Sequence, residues 1–261
     1  SPVVDLTKKS SPMVDSTKKP SPVVDLTKKR ARTKKLSYAY RHEKVLVLHR
    51  RRSQPWTVKD QEKLLGKTKW LGDNTIAIFF ALAQDLYNAA RHAKRRKCIF
   101  LNNVFYTKLT NDGIPGREKG FYYDAVERLF RRKKLHKVYG VKVNNIFELE
   151  KMVFPMHLHK DHWACACIDM QRERLEIFDS KVNEEWLEKV FSTLKEFLIC
   201  EWADKCAATL TRPNFAGWTT EINPYEWPQQ LYSSECGVFT CHCARCIAQD
   251  LQPSIDNRED N

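Results

Sequence analysis

The chain has 261 residues, 42% of them hydrophobic and 11% aromatic, and a net charge of +13. That is enough apolar material for one core-bearing domain of about 200 residues plus a tail. No long uncharged apolar run occurs, so nothing reads as a signal peptide or membrane span, and no membrane partner is expected. The nine cysteines are odd in number and lie within apolar stretches rather than in a loop framework. They are expected to be reduced thiols of a cytosolic or nuclear protein.

Three copies of one decapeptide open the chain, Ser1 to Ser10, Ser11 to Pro20 and Ser21 to Arg30. The repeat is too short and polar to stack as a solenoid, and its prolines and lysines predict disorder. A basic run at 28–35 follows. Residues 1–35 carry +7 of the net +13, which fits a nuclear localisation signal. No aromatic or glycine-rich recognition module accompanies it, so nucleic acid is not the expected partner.

Further along, Val45 to Leu48 reads as a first strand. Thr57 can cap a helix beginning near Val58, with Asp60 in its first turn. Trp70 to Tyr87 is mainly helical, with Ile76, Phe79, Phe80, Leu82, Ala83 and Leu86 at helical spacing. Arg91 to Lys97 is a solvated basic stretch. Ile99 to Phe105 reads as extended and buried, Asn111 to Gly116 as a loop, and Phe121 to Lys134 as an amphipathic helix. Strands are expected at Trp163 to Ile168 and Leu175 to Phe178, joined by a short polar hairpin. A helix follows at Trp186 to Ile199, then an irregular stretch from Arg212 to Trp227 with one short strand. The last element is a helix whose buried residues include Val238, Phe239, Cys241, Cys243 and Ile247. The sum is an α+β protein with a mixed central sheet flanked by helices.

Cys236 stands at the N-terminus of that last helix, where unpaired N–H groups and the positive dipole end favour a thiolate. Gly237 leaves it unobstructed. Gln230, six residues upstream, offers an uncharged amide donor. A nucleophile beside an oxyanion donor is what acyl transfer needs. The hairpin supplies a base: it brings His162, before the first strand, towards Asp179, after the second. A carboxylate on one imidazole nitrogen fixes the tautomer and leaves the other for the thiol proton. Plainer readings compete. Buried cysteines are commonly inert packing residues. His157, His159 and His162 do not share one strand face, and Cys236, Cys241, Cys243 and Cys246 lack metal-loop spacing. No metal and no cofactor are expected.

His162-Trp163, Asp179-Ser180 and Gln230 followed by Cys236-Gly237 together resemble the ubiquitin-like-specific proteases, the sentrin (SUMO) specific cysteine proteases. Trp56 to Asp60, Trp70-Leu71-Gly72-Asp73, Cys98 to Leu109 and Tyr123 to Arg128 resemble other segments of that family, in order. The resemblance implies a papain-like cysteine protease fold of the ubiquitin-like-protease type, and a catalytic quartet of His162, Asp179, Gln230 and Cys236. It also implies that Trp70 and Trp163 roof and floor a narrow Gly-Gly channel, with Asp73 among the substrate-binding residues. Glu235 departs from the Asp that usually precedes the cysteine, and Tyr232-Ser233 from the usual Asn-Gly. The expected organisation is a disordered tail at 1–35, a catalytic domain at 36–255 and a C-terminal tail at 256–261. The expected function is cleavage after the Gly-Gly terminus of SUMO by a nuclear, monomeric enzyme. A protease for another ubiquitin-like modifier, of deneddylase type, and a non-enzymatic SUMO-binding adaptor are the alternatives.

Beside that family, the tail gains a second reading. Val3-Val4-Asp5-Leu6 and Val23-Val24-Asp25-Leu26 resemble SUMO-interacting motifs, short runs that add a strand to the modifier's sheet. In the middle repeat Ser16 replaces the third apolar anchor. Two weak motifs on one tether act through effective concentration. Removing residues 1–35 should therefore leave cleavage of a single SUMO unchanged and weaken action on a SUMO chain. Equal behaviour of the full chain and a chain starting at Leu36 on both substrates would reduce the repeats to a linker.

Overall fold

A five-stranded mixed sheet organises the protein. It is built from β3 (Cys98–Phe100), β4 (Lys151–Leu158), β5 (His162–Asp169), β6 (Arg174–Phe178) and β7 (Thr219–Ile222), in that spatial order. The computed structural model describes residues 70–90, 97–112, 114, 116–159, 161–208 and 211–253, with short pieces at 45–47, 56–57 and 60–62. The repeats, the basic run at 28–35, the stretch at 91–96 and the C-terminal tail lie outside the described residues. A separate two-stranded ribbon pairs β1 (Val45–Val47) with β2 (Trp56–Thr57). Beyond it, Asp60 accepts from the Thr57 N–H at 3.0 Å and from its hydroxyl at 3.2 Å. That is half of a capping box, as the Thr57/Asp60 spacing predicts.

Strands β4, β5 and β6 run antiparallel, while β3 is parallel to β4 and β7 parallel to β6. Pro155 is accommodated inside β4 because β3 pairs only with residues 151–153 of that strand and so needs no N–H there. All eight residues of β5 are buried, so helices must cover both faces of the sheet.

Strand alternation divides the apolar residues between two cores. Ala164, Ala166 and Ile168 face one core, with Met152, Phe154, Met156, Leu175 and Ile177. It is closed by α2 (Val104–Thr110) and α3 (Glu184–Lys205), whose Leu187, Val190, Phe191, Leu194 and Leu198 are buried as their spacing predicts. Trp163, Cys165 and Cys167 face the other core, which is covered by α1 (Asp73–Ala89) and α4 (Cys236–Ala248).

Four local expectations are revised. In α1 the inward face is Ile76, Phe80, Ala83, Gln84 and Tyr87, while Leu82 and Leu86 are exposed. The reason is Gln84: its amide receives the Phe100 N–H at 2.8 Å and donates to the Cys98 carbonyl at 3.3 Å. It thereby satisfies the open edge of β3. The extended run from Ile99 ends at Phe100, because the Asn102 side chain accepts the Val104 N–H at 3.1 Å and turns the chain into α2. Phe121 to Lys134 is not one helix. It forms two 3-10 turns (Tyr123–Ala125 and Glu127–Phe130) and a single α turn, then runs into a π turn at Leu135–Tyr139. Val126, Phe130 and Leu135 must all reach the core, and Arg131 is extended between them. Val238, expected inside, is exposed on the first turn of α4.

Gly237 also has a different role from the one its neighbour suggests. A Cβ there would stand 2.9 Å from Leu71 Cβ and 3.3 Å from Ile76 Cδ1. The glycine lets α4 approach the start of α1 rather than clearing a path to Cys236. Gly237→Ala should lower the melting temperature, because overpacking costs about 1–3 kcal/mol and the helix-propensity gain offsets at most about 1 kcal/mol. A thermal scan showing equal or higher stability would mean that Leu71 can move aside freely.

Candidate active site

The site forms where the start of β5, the end of β6 and the start of α4 meet. Two thiols explain why α4 lies where it does: Cys165 of β5 and Cys243 of α4 are both fully buried and meet in the same core. From Cys236 to Cys243 the helix advances about 10.5 Å at ~1.5 Å per residue. From His162 to Cys165 the strand advances about 10 Å. Contact between Cys165 and Cys243 thus carries the same offset back to His162 and Cys236.

His162 Nε2 lies 2.6 Å from Asp179 Oδ1. Nδ1 is the ring nitrogen left for the thiol, and Cys236 lies close enough to the imidazole to act on its protonation. Burial alone pushes the imidazole down. The hydrogen bond to Asp179 and the neighbouring Asp179 and Cys236 groups more than reverse this, and His162 is raised to about 9. A partly desolvated imidazolium is held between two acids. Asp179 is itself nearly inaccessible, and Oδ1 also accepts the Lys181 N–H at 2.8 Å.

Burial pushes Cys98 up to about 11 and raises Cys167, Cys241 and Cys243 as well, so they stay protonated and inert. All nine cysteines are free. Among the described residues no group of three His, Cys, Asp or Glu side chains is placed to hold a metal ion. His157 stacks on Trp163 with centroids 4.3 Å apart, His159 packs on Trp186, and only His162 faces Asp179.

Gln230 joins the site from the other side. Its backbone N–H donates to the Ser180 carbonyl at 2.8 Å, its Oε1 accepts the Ser180 hydroxyl at 2.8 Å, and its Nε2 donates to the Tyr232 carbonyl at 3.0 Å. Glu235 closes the same loop: its Oε2 accepts the N–H groups of Leu231 and Tyr232, each at 3.0 Å. Trp163 is buried, with Nε1 donating to the Leu71 carbonyl at 3.1 Å, while Trp70, the sequence neighbour of Leu71, is 38% exposed. Asp73 is exposed, 3.9 Å from His157 Nδ1. The tail residues Val3, Val4, Leu6, Val23, Val24 and Leu26 lie outside the described residues.

Sequence reasoning missed Asn223. Its Oδ1 accepts the Asp179 N–H and its Nδ2 donates to the Asp179 carbonyl, both at 2.7 Å. One side chain thus pairs both main-chain groups of the residue bonded to His162. Asn223 has φ 49°, a left-handed conformation that asparagine tolerates. The sequence signal was an Asn-Pro pair closing the short strand.

The geometry has clear parallels. Residues 69–261 match the profile of the Ulp1 protease family, C-terminal catalytic domain. A sentrin-specific protease of Caenorhabditis elegans is 30% identical over 200 residues, covering 77% of this chain and 24% of that protein. Ubiquitin-like-specific protease 1A of Arabidopsis thaliana is 29% identical over 196 residues, covering 75% of this chain and 35% of that protein. The chain therefore spans only about a quarter to a third of these relatives. In fold it is similar to the SUMO protease Ulp1 with its catalytic cysteine oxidised to a sulfonic acid, at a TM-score of 0.59 and 22% identity, covering 83% of this chain and 82% of that one. It is also similar to the C-terminal Ulp1 protease domain in complex with Smt3, the yeast orthologue of SUMO, at a TM-score of 0.57 and 22% identity, covering 78% and 77%. With this fold, this arrangement of cysteine, histidine and aspartate, and a family match over 69–261, the chain belongs to the Ulp1 protease family and carries its C-terminal catalytic domain.

Proposed function

We propose that the protein is a SUMO-specific thiol isopeptidase that cleaves after the terminal Gly-Gly of the modifier. The observation that carries this reading is the 2.6 Å His162–Asp179 contact, with Cys236 on the same imidazole at the first turn of α4. With the thiol proton held on His162 Nδ1, the sulfur attacks the glycine carbonyl. The oxyanion receives hydrogen bonds from Gln230 Nε2 and from the Cys236 N–H, which has no partner within the helix. Collapse breaks the C–N bond, and the leaving lysine amine takes the proton from His162. Water then attacks the thioester with His162 as base, releasing the modifier's carboxylate and restoring the thiol.

Cys236 is only 1% exposed. A chain that bears side chains cannot reach it without displacing its neighbours, whereas a diglycine can lie close to flanking walls. Trp70 and Trp163 flank Leu71, which packs against Gly237, and they suit the role of those walls. The names of the relatives support SUMO as the modifier. Another ubiquitin-like modifier is the second reading, favoured by the Tyr232-Ser233 and Glu235 departures. The basic run at 28–35 supports a nuclear site of action. A panel of ubiquitin-like modifiers bearing C-terminal electrophiles decides the question: SUMO should become attached to Cys236, and attachment of a different modifier alone would overturn the assignment.

Cys236→Ser should abolish both turnover and adduct formation while the fold persists; an adduct on another cysteine would refute the nucleophile. Gln230→Ala should cost about 10²–10³ in rate, the usual loss for a single oxyanion donor.

The pH profile provides a separate check. The proton on His162 is needed for the leaving amine, so kcat/KM should fall as pH rises through about 9. Asp179→Asn removes a group that raises His162 and should move this alkaline limb to lower pH as well as lowering the rate. An alkaline limb in the same place for both proteins would show that Asp179 does not act on the imidazole.

A further inference from the structure

Asp179 and Ser180 are consecutive, and each is nearly inaccessible. Asp179 holds the imidazole. Ser180 holds Gln230 by two bonds: its carbonyl accepts the Gln230 N–H, and its hydroxyl donates to Gln230 Oε1, each at 2.8 Å. We propose that Ser180 is a positioning residue for the oxyanion donor, keeping the Gln230 carboxamide turned so that its NH2 group, and not its oxygen, meets the developing negative charge.

The physical problem is specific to a glutamine donor. A carboxamide is a donor at one end and an acceptor at the other, and the two ends have nearly the same shape. Turned by half a rotation, it would present lone pairs to the oxyanion and repel it. Two contacts resist that rotation. The Tyr232 carbonyl can only accept, so the amide end directed to it at 3.0 Å must be the NH2. The Ser180 hydroxyl donates to Oε1 at the other end. One Nε2 hydrogen is used on Tyr232, and the second is the one available to the oxyanion. A backbone N–H needs no such device, because its direction is set by the helix. Buried Ser180 holds Oε1 from just beyond the end of β6, whereas Tyr232 is exposed on a loop. The dipeptide after β6 thus orients the base with one residue and the donor with the next.

This inference rests on the proposed isopeptidase reading, and the test separates the two. The full chain is assayed on SUMO carrying a C-terminal aminomethylcoumarin, as wild type, Ser180→Ala, Gln230→Ala and the double variant. Ser180→Ala should lower kcat about ten-fold, less than the ~10²–10³ expected when an oxyanion donor is lost outright, and leave KM unchanged. In the Gln230→Ala background, Ser180→Ala should cost nothing further, because there is then no carboxamide to orient. The pH profile of Cys236 alkylation by iodoacetamide should match wild type, since the His162–Asp179 pair is untouched. If Ser180→Ala does not fold, Ser180→Cys keeps a side chain of similar size with a much weaker donor and takes its place in the cycle.

An equal loss from Ser180→Ala in both backgrounds would overturn the proposal, as would a loss expressed in KM, or full activity of Ser180→Ala beside an impaired Gln230→Ala. The isopeptidase reading would stand in each case. A wild-type chain that neither releases coumarin nor reacts with a SUMO electrophile would remove that reading, and this proposal with it.

Discussion

Close approach of α4 to β5 is the constraint from which the site follows. It is achieved with small side chains where the two elements face each other: Cys165 and Cys167 along the strand, Cys243 and Ala244 along the helix. A larger residue at Cys165 or Cys243 would push the helix outward and carry Cys236 away from His162. The buried thiols are therefore spacers. Raised pKa values keep Cys167 and Cys243 neutral in an apolar layer, where a thiolate would be costly. The same chemical group fills space at several positions and stands beside His162 at one, and surroundings make the difference.

A second layer of order sits around Asp179. Its side chain accepts from His162 and from the Lys181 N–H, and its main chain is paired by Asn223 and also receives the Gln229 side chain at 3.3 Å. A buried carboxylate is tolerated where it is hydrogen-bonded and its partner carries charge. Both conditions hold here, and they also restrain the carboxylate's position. The next residue, Ser180, extends the arrangement to Gln230. Glu235 then ties the far end of the loop back to its start, so the run from Gln230 to Cys236 is anchored at both ends.

Much of this could be read from residue order alone. Two alternating strands with a short polar link must form a hairpin, and a hairpin places the residue before the first strand beside the residue after the second. That geometry is local, so His162 and Asp179 were legible together. The start of α4 at Cys236 was legible from the loop-to-apolar transition, and the inner face of α3 from its period. Legibility failed where a side chain took over backbone hydrogen bonding. Asn102 ended a strand early, Gln84 turned α1 so that its leucines faced outward, and Asn223 braced Asp179 from a stretch that looked irregular.

What the sequence determined by itself was therefore the chemistry and its order: a histidine, a carboxylate, an amide and a cysteine, each at the end of a recognisable element. Local periodicity and turn chemistry suffice for that, because each depends on neighbours within a few residues. Only the tertiary structure decided how those ends meet. Gly237 against Leu71, Cys165 against Cys243 and Ser180 against Gln230 join residues that are far apart in the chain. Such pairings depend on the volumes and hydrogen-bonding capacities of both partners at once, and no single stretch of sequence contains both.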